Sequence, residues 1–172
     1  MRPTRRAVRR PQSTAGVKSR RYTVDASVFV NAFNPHEDGH AESLQILAAI
    51  QEAGDPIVVP TLLLPEIASA VARASNDPAG AIGYASATAA LPQLMLVSLT
   101  PAMARQAARL AATHKLRGAD SVYVAVARRY GTTLVTRDDE QRSRGAGIVV
   151  CQTPERSLRG RRPAKRPWQR RR

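Results

Sequence analysis

A chain of 172 residues with 43% apolar but only 4% aromatic content accommodates one domain whose core is built from Ala, Val, Leu and Ile. Its single cysteine, Cys151, excludes an internal disulfide, and no apolar run approaches the roughly 18 residues that span a bilayer. The net charge of +14 belongs to the ends: residues 1 to 21 hold eight Lys or Arg, residues 156 to 172 hold nine, and all 13 acids lie between them. The central region is therefore near −3. The basic start lacks the apolar stretch of a signal peptide, so the expected compartment is the cytoplasm, without membrane association.

Residues 1 to 20 are aperiodic and rich in Arg, a composition expected to be disordered. They read as a polyanion-binding arm in which Arg5, Arg6, Arg9 and Arg10 contact phosphates. The folded pattern begins at Arg21. Strands are expected near 22–25, 57–59, 95–98, 132–136 and 148–150. Helices are expected near 27–32, 40–53, 62–75, 78–90, 102–114, 119–130 and 139–143, with Pro60, Pro101 and Gly131 at the boundaries. Alternating strands and helices imply a parallel sheet covered on both faces. The domain is expected to span residues 21 to 152. A second basic, disordered tail follows over 153 to 172, with Arg161 and Arg162 as further phosphate contacts and Trp168 either stacking on a base or standing exposed without a role.

Four acids stand where strand or helix patterns call for uncharged residues. Asp25 follows Tyr22-Thr23-Val24, and Asp138 follows Thr132-Thr133-Leu134-Val135-Thr136, so both lie at carboxyl ends of strands, the edge at which open α/β sheets bind ligands. Glu66 falls in the helical stripe Leu63, Ile67, Ala70, Val71, and Asp120 heads the stripe Tyr123, Val124, Ala127. Taken singly, each has an ordinary structural account. Asp25, Asp120 and Asp138 each suit a helix N-cap, Asp138 with Gln141 at capping-box spacing, and Glu66 suits a helix dipole. Their joint occurrence points further. Four carboxylates about 5 Å apart repel by roughly 3 kcal/mol per pair at an effective dielectric near 20, so convergence requires cations or raised pKa values. An all-oxygen set suits Mg²⁺ or Mn²⁺, and such ions support phosphodiester hydrolysis.

Other features carry less. His36-Glu37-Asp38-Gly39-His40 fits the H-E-x-x-H zinc-peptidase pattern, but Pro35 and Gly39 deny it the continuous helix it needs, and a solvated loop is expected. Cys151 reads as a small buried hydrophobe and His114 as a helix-end surface residue.

Four segments together resemble the PIN domain, most closely the VapC-type toxins of toxin–antitoxin pairs. They are Thr23-Val24-Asp25-Ala26-Ser27, the run Val59 to Ala68, the run Leu116 to Ala125, and Leu134-Val135-Thr136-Arg137-Asp138. The resemblance spans about residues 21 to 152. It implies a three-layer α/β/α sandwich around a parallel sheet and a Mg²⁺- or Mn²⁺-dependent endoribonuclease. It implies Asp25, Glu66, Asp120 and Asp138 as catalytic and metal-binding acids, with Ser27 and Thr136 in support. Asp139 adds a second acid at the last position, and the offset from Thr136 favours Asp138. The toxin role implies an RNA substrate, a homodimer and a cognate antitoxin. The basic tails, which are foreign to the compact family pattern, keep open an RNA-processing or RNA-binding protein without an antitoxin.

Overall fold

The computed structural model describes residues 20–161. The elements run β1 (Tyr22–Val24), α1 (Ala26–Phe33), α2 (His40–Ala53), β2 (Ile57–Pro60), α3 (Leu63–Ser75), α4 (Pro78–Ala89), β3 (Leu94–Val97), α5 (Pro101–His114), α6 (Gly118–Tyr130), β4 (Thr133–Val135), α7 (Asp139–Gly145), β5 (Cys151–Gln152) and α8 (Pro154–Arg159). Five parallel strands in the order β3-β2-β1-β4-β5 form one sheet flanked by helices, the three-layer α/β/α sandwich expected. Tyr22 stands opposite both Ile57 and Thr133 in the central registers.

The short central strands are apolar on both faces, as strands covered on both sides must be. Val24, Ile57, Val59, Leu134 and Val135 are fully buried. Thr23 is equally buried and still satisfied: its hydroxyl donates to Val58 O at 2.8 Å and shares a hydrogen bond with Thr132 Oγ1 at 2.6 Å. Helix α6 lies on β1, β2 and β4, and every residue from Ser121 to Ala127 is buried, which its run of Val and Ala makes sterically feasible.

The strand order sets the position of a site. From β1 the chain steps to β2 and β3 on one side, then returns to place β4 and β5 on the other. The carboxyl ends of β1 and β4 therefore flank the point where the winding reverses, the crevice where such sheets receive ligands. Among the described residues no helix is long and apolar enough to cross a membrane.

Two expectations at the carboxyl end need correction. The fifth strand was expected at 148–150 but occupies Cys151–Gln152. Ile148 and Val149 both donate their N–H to Gly145 O, closing a turn after α7, and the ladder to β4 begins only with Leu134 N bonding Val150 O. The tail expected from residue 153 starts instead with α8, capped by Thr153 and packed on α2. Arg161 is not a free RNA contact: it bonds Asp55 Oδ2 at 2.9 Å, Ala49 O at 2.6 Å and the Tyr22 hydroxyl at 3.2 Å. Capping, Leu158 packing and this ion pair order a stretch that reads as polar and basic. Arg5, Arg6, Arg9, Arg10, Arg162 and Trp168 lie outside the described residues.

Candidate active site

Each of the four acids sits at the start of a helix. Asp25 is the N-cap of α1 and Asp138 that of α7, while Glu66 and Asp120 occupy the first turns of α3 and α6. Four positive helix ends thus face four carboxylates, which offsets part of their repulsion. Asp25 and Asp138 are caps in the strict sense, as expected; Asp120 is not, since α6 starts at Gly118 after Arg117. Capping also orients the acids, because it engages one oxygen and leaves the other free to turn inward. Asp25 Oδ1 accepts from Ser27 N at 2.9 Å, and Asp138 Oδ1 accepts from Gln141 N at 2.8 Å.

The second oxygens have partners of their own. Asp25 Oδ2 accepts from Gln141 Nε2 at 3.2 Å, Asp138 Oδ2 pairs with Arg117 at 3.2 Å, and Glu66 Oε2 accepts from the Tyr123 hydroxyl at 2.5 Å. Asp120 Oδ2 is buried and has no partner. Asp25, Glu66, Asp120, Ser27 and Arg73 line one cleft of about 550 Å³. Asp138 does not line it but stands near enough that its charge raises the pKa of both Asp25 and Asp120.

Electrostatics follow from burial and crowding. Burial pushes the Asp25 carboxyl above its ordinary range, against the hydrogen bonds from Ser27 and Gln141, and the Asp138 charge adds to the rise. Burial likewise raises Glu66, opposed by Tyr123 and reinforced by Asp25 and Asp120. Asp120 is pushed up to about 6 by burial, then by Asp138 and Asp25. Asp139, in contrast, is exposed and pairs with Arg142 at 2.7 Å. Ser27 and Thr136 tie the strand ends together: Ser27 Oγ accepts from Arg137 N at 3.1 Å, and Thr136 Oγ1 accepts from Asp138 N at 3.0 Å.

Three contributors were not anticipated as site residues: Tyr123, Arg73 and Gln141. Arg73 lies seven residues beyond Glu66 on α3, two turns along the same face, a spacing that could have flagged it. Gln141 is fully buried; its backbone N–H holds Asp138 while its side chain holds Asp25, and its Oε1 is left without a partner. The capping-box spacing was visible, but the side chain turns to Asp25 instead of back to its own cap. Gln141→Leu should therefore loosen Asp25 and weaken divalent-ion binding about tenfold by calorimetry, with Gln141→Glu failing to rescue it because a further anion replaces the donor. Equal ion affinity in both variants and the parent would remove Gln141 from the site.

The donor set fits a hard divalent cation in kind, with four carboxylates and one orphaned buried oxygen. As the side chains stand, no three acidic, His or Cys groups among the described residues converge closely enough to hold an ion. An ion would have to draw them together, taking Glu66 from Tyr123 and Asp138 from Arg117 while Gln141 keeps Asp25 oriented.

The histidine pair lacks the geometry of a peptidase site. His36 lies in the loop after α1, whereas His40 opens α2 and bonds Asn31 O through Nδ1 at 3.1 Å, so they share no helix face. Gly39 breaks the segment with φ +78°, and the Arg137 guanidinium sits where a Cβ would stand while bonding Gly39 O and Asp38 O. Cys151 is half-buried, and burial pushes its thiol up to about 11, so it is a neutral packing group.

An acid-lined crevice at the reversal point of a parallel sheet is the layout of a known family. The sequence pattern of the PIN domain matches residues 22–146, and the chain belongs to that family. Solved structures share the fold. VapC20 of Mycobacterium tuberculosis, described as a sarcin–ricin loop cleaving toxin, aligns at 19% identity and TM-score 0.64, over 74% of this chain and 96% of that one. PAE2754 of Pyrobaculum aerophilum aligns at 21% identity and TM-score 0.59, over 81% and 96%. A toxin–antitoxin complex from Klebsiella pneumoniae aligns at 20% identity and TM-score 0.56, over 79% and 98%. Comparison with curated protein sequences gave no match.

Proposed function

We propose that the chain is a divalent-metal-dependent endoribonuclease and the toxin of a toxin–antitoxin pair. The observation that carries this reading is the gathering of four carboxylates from distant segments at four helix starts, with one buried oxygen unpartnered. Family membership supports nuclease chemistry, and the described activity of VapC20 favours RNA as the substrate. Asp25, Glu66, Asp120 and Asp138 would hold Mg²⁺ or Mn²⁺. Such an ion, when bound, makes hydroxide available near neutral pH and offsets charge on the phosphate. The chain itself orients these acids through Ser27, Thr136, Gln141 and Tyr123, and Arg73 offers a cation to a phosphate at the cleft wall. The toxin–antitoxin complex from Klebsiella pneumoniae supports a cognate antitoxin as partner. A homodimer and a cytoplasmic location complete the toxin reading. The basic ends favour one alternative, an RNA-processing PIN protein without an antitoxin.

Purified protein should cleave RNA with Mg²⁺ or Mn²⁺ and stop in EDTA. Undiminished cleavage in excess chelator would sink the metal mechanism. The His36→Ala, His40→Ala double variant should cleave as the parent does; a fall in activity together with lost zinc content would revive the peptidase reading.

A further inference from the structure

Carboxylates crowd one part of the fold, and cations crowd another. Between Asp77 and Asp138 the only acid is Asp120, against seven Lys or Arg. Four of the seven, Arg105 and Arg109 on α5 and Arg128 and Arg129 on α6, are exposed and pair with no acid among the described residues. The stripe Met103, Ala107 and Leu110 is buried, which turns Arg105 and Arg109 outward beside α6. Arg105, Arg109 and Arg128 line one cleft of about 440 Å³. A second cleft of about 340 Å³, lined by Arg129, Tyr130, Thr100 and Met95, shares Ala102 and Gln106 with the first. No acid lines either of them. The Arg129 guanidinium stands 6.0 Å from the centre of the half-buried Tyr130 ring.

Helix stability does not account for this clustering. Arg128 and Arg129 suit the negative carboxyl end of α6, where cations are favoured. Arg105 and Arg109 have no such role: they lie inside α5, four residues apart, where like charges repel, and no acid stands three or four residues from either. Three guanidinium groups around one acid-free cleft favour an anion there. Their planar forks match phosphate oxygens, and the adjoining Tyr130 ring offers a stacking face to a base. Phosphate and base together describe a nucleic-acid strand, whereas an acidic protein surface would engage the cations alone. Helix α6 also links this face to the acids. It carries Asp120 in its first turn and Arg128 eight residues on, about 12 Å along the helix axis. Roughly three or four stacked nucleotides, at about 3.4 Å each, span that distance.

We propose that the outer face of α5 and the carboxyl end of α6 form a binding face for single-stranded RNA, with Arg105, Arg109, Arg128 and Arg129 on phosphates and Tyr130 on a base, a few nucleotides from the acidic cleft. The inference rests on the ribonuclease reading for the choice of RNA. Binding is measured in chelator, where no cleavage is read. Absent cleavage in metal therefore sinks the nuclease reading alone, and binding that ignores these arginines sinks this one alone.

A labelled single-stranded RNA of about a dozen nucleotides, a length within the usual single-strand site sizes, is titrated with the full chain by anisotropy across salt concentrations. Three full-length variants are compared with the parent: Arg105→Gln with Arg109→Gln on α5, the quadruple variant that adds Arg128→Gln and Arg129→Gln, and Arg156→Gln with Arg159→Gln on α8. The α8 pair removes the same charge as the α5 pair from exposed positions on a helix that packs against α2. The α5 pair should weaken binding severalfold at low salt and flatten the slope of log affinity against log salt by about 1.4, at roughly 0.7 per phosphate contact. The quadruple variant should weaken it at least tenfold and flatten the slope by up to about 3. The α5 pair should melt no lower than the parent, since a repulsive pair is removed. Equal losses for the α5 and α8 pairs would reduce the effect to net charge and overturn the proposal, as would unchanged affinity in the quadruple variant. Polyglutamate serves as a second probe: a quadruple variant that loses polyglutamate but keeps RNA would assign the face to an acidic protein surface instead. Photocrosslinking of the parent to the same RNA carrying 4-thiouridine needs no variant to fold. Crosslinks at Tyr130 or Gln106 are expected, and crosslinks that spare α5 and α6 would overturn the proposal.

Discussion

Asp25→Asn and Asp120→Asn are each expected to lower RNA cleavage by about 10²-fold or more while the fold survives, the loss usual for one preorganised charge-bearing group. The stability effect has the opposite sign. The Asp120 carboxyl is pushed up to about 6 by burial and by Asp138 and Asp25, above the ordinary value of 3.8. A folded-state pKa above the unfolded one contributes stability fully present below about pH 4 and lost as pH rises through 6. Metal-free parent protein should lose stability over that window. Asp120→Asn has nothing to ionise there and should melt higher than the parent at pH 8, with the gap closing at pH 4. Because Asp120 is only half-buried, the gap should stay within about 2 kcal/mol after solvent screening. Asp139→Asn, on an exposed side chain, should be nearly silent in both assays. Retained cleavage with clear destabilisation would reduce Asp25 and Asp120 to caps and packing groups.

Arg161→Met should destabilise the protein by about 3 kcal/mol, among the largest effects of any change outside the cleft. The Arg161 and Asp55 side chains are only 13% and 11% exposed, so removing the cation leaves a buried carboxylate without its charge partner. The Arg161→Met, Asp55→Leu double variant should recover much of the loss, since a buried pair exchanged for apolar groups is often near neutral. Urea titration of the four-member cycle reads both. A single variant as stable as the parent would show that α8 and its following turn are dispensable and that the domain ends at Gln152.

The sequence alone determined the local elements and singled out the acids of the candidate site. Helix α2 lies at the expected 40–53, and α3 to α6 agree to within a residue, because proline, glycine and 3.6-residue periodicity act locally. All four acids were legible because a charge in an apolar strand end or helix stripe contradicts its surroundings. Misreadings arose where local pattern and long-range contact disagree. Ile148-Val149-Val150 has strand composition, yet the turn on Gly145 delays β5 until Cys151. Residues 154–161 read as a basic tail, yet Asp55 and Tyr22, more than 100 residues away in sequence, hold Arg161 in the fold.

Only the tertiary structure decided how the acids are held and what faces what. Spacing could not reveal that Gln141 bridges Asp138 and Asp25, that Tyr123 restrains Glu66, or that Arg73 shares their cleft, because each depends on helices that meet only through the strand order. Composition likewise placed basic charge at the two ends of the chain but said nothing of their distance. The sheet brings Arg20 and Gly160 to one edge and the carboxylates to the other, since β1 runs from Tyr22 to Val24, just before Asp25. Side-chain identity fixes which forces are available, and the crossing of parallel strands fixes which groups those forces act between.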